Sequence, residues 1–96
     1  MLNNHQKAYL RSLANRLSPT VTVGKEGMTD TLIESLENSL TAHELVKVSV
    51  LKSCPMPVQE LKIELAVATH SEIVQVIGKN VILFRHRPKD GMALPK

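Results

Sequence analysis

Ninety-six residues, 43% of them hydrophobic, allow one small domain with a single core and are too few for two. Cys54 is the only cysteine, which excludes an intrachain disulfide and a thiolate-rich metal site and fits a reducing compartment. The net charge of +3 is unevenly placed: residues 1–27 carry four bases against one acid, residues 28–46 four acids and no base, and residues 47–96 eight bases against four acids. That division points either to one phosphate-facing surface or to ordinary solvation.

The stretch Met1 to Gln6 is polar and has no apolar segment of the kind a secretory signal needs. From about His5 to Leu17, apolar residues at Leu10, Leu13, Ala14 and Leu17 follow helical spacing. Asn4, Lys7 and Arg11 recur three and four apart, on a neighbouring stripe. Ser18-Pro19 ends this helix, because proline disfavours a helical residue before it. Thr20-Val21-Thr22-Val23 is β-branched throughout and predicts a strand.

Gly24-Lys25-Glu26-Gly27 follows, then a helix from roughly Thr29 to His43 with Leu32, Ile33, Leu36 and Leu40 on its buried stripe. Thr29 suits the N-cap; Thr31 with Glu34 would form a capping box if the helix began two residues later. Leu45 to Leu51 alternates and reads as a half-buried strand. Ser53 to Pro57 is a loop, and Pro57 suits the first turn of a third helix, Val58 to Thr69, with Val58, Leu61, Leu65 and Ala68 on one face. Ile73 to Ile77 and Val81 to Phe84 flank the turn Gly78-Lys79-Asn80 and form a hairpin. Arg85 to Lys96 is a basic exit and tail, the tail proper from about residue 88 to 96. The longest apolar runs, Leu65 to Ala68 and Val81 to Phe84, are far short of a membrane span.

The order αβαβαββ predicts an α/β fold. Crossovers through helices join parallel strands, and the hairpin adds one antiparallel strand. Val81-Ile82-Leu83-Phe84 has no polar residue, as a central strand covered on both faces requires. A mixed four-stranded sheet in the order 1-2-4-3, packed with three helices, satisfies these constraints.

The glycine loop has two readings: a plain strand-to-helix turn, or a phosphate cradle. Glycines let the backbone turn sharply and come close to another molecule, and the following helix presents free N–H groups that favour an anion. The loop is not a P-loop, because Met28 stands where that motif has its lysine.

Three stretches carry a family resemblance: Val23 to Thr29, His43 to Val48, and Val74 to Arg85, with Leu94-Pro95-Lys96 at the close. In them the chain resembles the YhbY family, also called the CRM domain, over essentially its whole length, as a single domain from residue 1 to 96. The resemblance implies a fold akin to the C-terminal domain of translation initiation factor 3. It also implies RNA binding and, for a stand-alone bacterial member, association with precursors of the large ribosomal subunit in the cytoplasm.

The candidate RNA contacts are Gly24, Lys25, Gly27, Met28 and Thr29 in the loop and helix start. Lys79, Arg85 and Arg87 on the hairpin turn and exit join them, as do Lys7 and Arg11 on the first helix. Lys47 and Lys52 read as ordinary surface lysines. Tyr9 and Phe84, the only aromatics, are too few for a base-stacking platform, and Phe84 reads as core. His5, His43, His70 and His86 have no zinc-like spacing. No nucleophile, base or carboxylate pair can be named, so no catalysis, cofactor, metal or small-molecule substrate is expected. The function expected is non-catalytic binding of ribosomal RNA during large-subunit assembly, possible ribosomal-protein contacts included. The alternative is a protein-interaction module in translation acting through the acidic helix face.

Overall fold

The computed structural model describes residues 3–85. The elements are α1 (Asn4–Ala14), β1 (Val21–Val23), α2 (Asp30–His43), β2 (Leu45–Val50), α3 (Val58–Thr69), β3 (Glu72–Ile77) and β4 (Asn80–Phe84). The sheet order is β1-β2-β4-β3, as expected from the strand patterns. β1 runs parallel to β2, and β4 is antiparallel to both β2 and β3.

β4 is one of the two interior strands, and its alternation divides the interior in two. Val81 and Leu83 join Val46, Val48, Leu36, Leu40, Leu61 and Leu65 on the α2–α3 side. Ile82 and Phe84 face the other way, onto Leu10 and Ala14 of α1 with Leu45 and Val74. Each aliphatic side chain moved from water into such a cluster contributes roughly 1.5–3 kcal/mol before entropy is counted. One helix therefore covers one face of the sheet and two cover the other.

The helix ends show local chemistry at work. Asn3 and Gln6 form a reciprocal capping box: the Gln6 N–H donates to Asn3 Oδ1 at 2.8 Å, and the Asn3 N–H donates to Gln6 Oε1 at 3.0 Å. The sequence reading missed this box. α1 also stops at Ala14, short of Leu17, because Arg16 and Leu17 donate to Leu13 and Ala14 in tightened turns. Thr29 caps α2, its Oγ1 accepting from the Leu32 N–H at 3.0 Å, so the alternative start at Thr31 is not used. Pro57 is the N-cap of α3 and not a first-turn residue. On α3 the buried face closes with Thr69, not the exposed Ala68, and the Thr69 hydroxyl donates to the Leu65 carbonyl at 2.7 Å.

Candidate nucleic-acid interface

The glycine loop leaves the C-terminal end of β1. The Gly27 N–H donates to the Gly24 carbonyl at 3.0 Å, which closes the loop into a tight turn with Lys25 and Glu26 exposed at its tip. The two glycines differ in kind. Gly27 has φ +66°, is buried, and a Cβ there would lie 3.5 Å from Pro55 Cγ. Gly24 has ordinary backbone angles, and a Cβ there would meet only Leu51 Cδ1 at 3.7 Å. Only Gly27 needs to be glycine for conformation.

This geometry corrects part of the sequence expectation. The loop is not uniformly open with all its amides free: Gly27 is packed against Pro55, and its N–H is used within the turn. The Met28 side chain packs against the α2–α3 core, so it anchors the loop. Thr29 spends its oxygen on the helix cap. Among the described residues, the amides of Lys25 and Glu26 have no acceptor. Those of Asp30 and Thr31 precede the first intrahelical acceptor. A depression of about 290 Å³ lies there, lined by Thr22, Gly24 to Gly27, Thr29 and Leu32. Glu26 on its rim places one negative charge beside Lys25.

Two other connections end beside this loop. The Leu51 N–H donates to the Val23 carbonyl at 2.9 Å, so the turn after β2, with exposed Lys52, lies next to the glycine loop. The Val50 N–H donates to the Lys79 carbonyl at 2.8 Å, so the hairpin turn joins the same rim. Lys25, Lys52 and Lys79 thus share one end of the sheet. Sequence reasoning singled out the first and third and passed over Lys52, because nothing local marks which turns will be neighbours.

Arg85 does not join them. Its backbone N–H donates to the Glu44 carbonyl at the start of β2, the opposite end of the sheet. Six residues of β2 separate the two ends, roughly 17 Å at strand rise. Its guanidinium is also committed. Nη1 donates to Glu37 Oε2 at 2.7 Å and to the Thr69 carbonyl at 2.9 Å. Nη2 donates to Thr41 Oγ1 at 2.9 Å and to the Glu37 carbonyl at 3.2 Å. This arginine ties the end of β4 to α2 and α3. The footprint expected to run from the loop along the hairpin to Arg85 is therefore split, with Lys79 near the loop and Arg85 far from it. Arg87 lies outside the described residues. Lys7 and Arg11 sit on α1, which is carried by Leu45, Ile82 and Phe84 on the other face of the sheet.

Among the described residues no cluster of histidine, cysteine, aspartate or glutamate has the geometry to hold a metal ion, and no helix is long and apolar enough to cross a membrane. Phe84 is buried in the α1-side core.

An α/β sheet with a glycine turn leading into a capped helix, and lysines from three connections on one rim, defines a class of small mixed-sheet domains. The family assignment is narrower: the chain belongs to the CRS1/YhbY (CRM) domain family, whose model matches residues 2–85. It is 39% identical over 85 residues to the "Probable RNA-binding protein YqeI" of Bacillus subtilis, covering 88% of each chain. It is 33% identical over 95 residues to an "RNA-binding protein" of Haemophilus influenzae, covering 99% of this chain and 96% of that one. The solution structure of the Staphylococcus aureus protein SAV1595 superposes with a TM-score of 0.84 at 38% identity, over 99% of this chain and 100% of that one.

Proposed function

We propose that this chain binds RNA without catalysing a reaction, and that its target is ribosomal RNA in precursors of the large subunit. The family and its named relatives support the first part. The observation that carries the site is the convergence of Lys25, Lys52 and Lys79 beside a turn whose tip amides have no acceptor among the described residues. Phosphate oxygens accept from those amides and from the α2 first turn, while the lysines neutralise neighbouring phosphates. With no aromatic platform, recognition rests on backbone charge and shape more than on base identity.

The protein-interaction alternative loses one of the three acids on α2. Glu37 holds Arg85, which leaves Asp30 and Glu34 as the exposed acids of α2. The test is crosslinking in cells followed by sequencing of the attached RNA, for the natural chain, Lys25→Glu and Glu34→Lys. Recovery of a discrete large-subunit segment, lost in Lys25→Glu and kept in Glu34→Lys, supports the reading. The reverse pattern, or recovery of messenger or transfer RNA, overturns it.

A further inference from the structure

A second depression lies at the other end of β1. It encloses about 530 Å³, with a floor of Leu13, Leu17 and Leu45 and a rim of Arg16, His43 and Lys47. No acidic side chain among the described residues lines it. Lys47 Nζ donates to the Leu17 carbonyl at 3.3 Å, which fixes that cation at the rim, and Leu17 is 37% exposed on the floor. An apolar floor under two permanent cations matches a flat apolar ring flanked by phosphates.

A shallow groove connects this depression to the glycine loop. It follows the outer edge of β1, with Glu26 at its loop end and, along the rest, the hydroxyls of Thr20, Thr22, Thr31 and Ser35, which make no side-chain hydrogen bond among the described residues. Thr20 borders the apolar depression, and Thr22 borders the loop depression. Carbonyls alternate in direction along a strand. Val23 accepts from β2, so the Thr22 carbonyl points outward from the sheet edge. Hydroxyls and an edge carbonyl match ribose 2′-hydroxyls, which both donate and accept.

We propose that a single-stranded RNA segment runs from the glycine loop along the β1 edge and seats one unstacked base on Leu13, Leu17 and Leu45, with its flanking phosphates on Arg16 and Lys47. This rests on the RNA-binding reading but adds a subsite of its own. From Thr20 to Gly24 is roughly 13 Å of strand, a reach that a few extended nucleotides cover. Phosphate binding at the two ends then belongs to one ligand, and the apolar pocket selects unpaired RNA over a continuous duplex.

The test uses the full chain and a short oligouridylate containing one 2-aminopurine ribonucleotide, whose emission rises when the base leaves the stack. Anisotropy and emission are read for the natural chain, Arg16→Glu, Leu17→Glu and Lys25→Glu. Arg16→Glu is expected to weaken binding about fivefold or more, and Leu17→Glu to abolish the rise in emission. Arg16 makes no side-chain hydrogen bond among the described residues, so its variant keeps the test alive if Leu17→Glu does not fold. Unchanged affinity and emission in Arg16→Glu, with binding weakened by Lys25→Glu, overturns the subsite and leaves the loop reading standing. Loss in Arg16→Glu with no effect of Lys25→Glu sinks the loop reading and keeps the pocket. Displacement of the RNA from the pocket by a leucine-containing acidic peptide at lower concentration assigns it to a protein partner and overturns the proposal.

Discussion

Arg85 Nη1 lies 2.7 Å from Glu37 Oε2, and the two residues are 48 positions apart in the chain. The pair is part-buried, at 24% and 38% side-chain exposure, and the same guanidinium also donates to the Thr69 carbonyl near the end of α3. One planar fork therefore closes the C-terminal ends of two helices against β4.

Arg85→Ala is expected to lower stability by about 1–2 kcal/mol, since it leaves the Thr69 carbonyl and Glu37 without their donor in a partly solvated place. For a domain of this length that is roughly 4–16 °C in melting temperature. Arg85→Lys recovers little, because a single ammonium cannot span four acceptors in one plane. Thermal melts measure the loss. RNA affinity measured well below the melting point should stay near the natural value, and a large drop there would return Arg85 to the RNA footprint.

Gly27→Ala is expected to cost about 1–2 kcal/mol, through its left-handed backbone and the nearby Pro55 ring. Gly24→Ala should fall within about 0.5 kcal/mol of the natural chain, since its backbone is ordinary and its neighbour lies at van der Waals distance. Urea titrations of the two variants decide the matter. Equal losses would show that the turn has another conformation.

His70 caps α3 at φ 52°, ψ 41°, in the left-handed region, and its side chain is exposed. His70→Gly should raise stability by about 0.5–1 kcal/mol, as a β-carbon is disfavoured in that region and the solvent-facing imidazole contributes little packing. A lower melting temperature in this variant would mean that the imidazole itself stabilises the helix end.

Salt dependence separates the rim from the rest of the basic surface. The three rim lysines contribute about −2 to −3 to the slope of log K against log salt. Alanine at Lys25, Lys52 or Lys79 should each flatten it by about 0.7–0.9, whereas Arg85→Ala should leave it unchanged. Titrations at several salt concentrations provide the slopes. A Lys52→Ala slope equal to that of the natural chain would remove Lys52 from the interface.

The seven elements were legible in the chain because each rests on local geometry. Side chains on a helix or strand repeat their direction with a fixed period, so the stripes of α2 and the alternation of β2 name their own buried faces. The unbroken apolar run of β4 pointed to an interior place covered on both faces, and the order 1-2-4-3 is one arrangement that provides it. The Asn3–Gln6 box was equally local and could have been read from its spacing. The loop's amides were a different matter. Whether Gly27 faces water or Pro55 depends on a segment 28 residues further on, and no pattern near Gly27 reveals it.

Periodicity and turn chemistry in this chain alone thus specified the fold class, an interior place for β4 and the place of the glycine turn, since those follow from which faces each segment must hide. The folded arrangement settled which charges work together. Lys52 became a neighbour of Lys25 and Lys79, and Arg85 was drawn into helix closure at the other end of the sheet. A charged side chain on a turn or strand end is free to serve either role, and the choice is made by partners that arrive from distant parts of the chain when the sheet assembles.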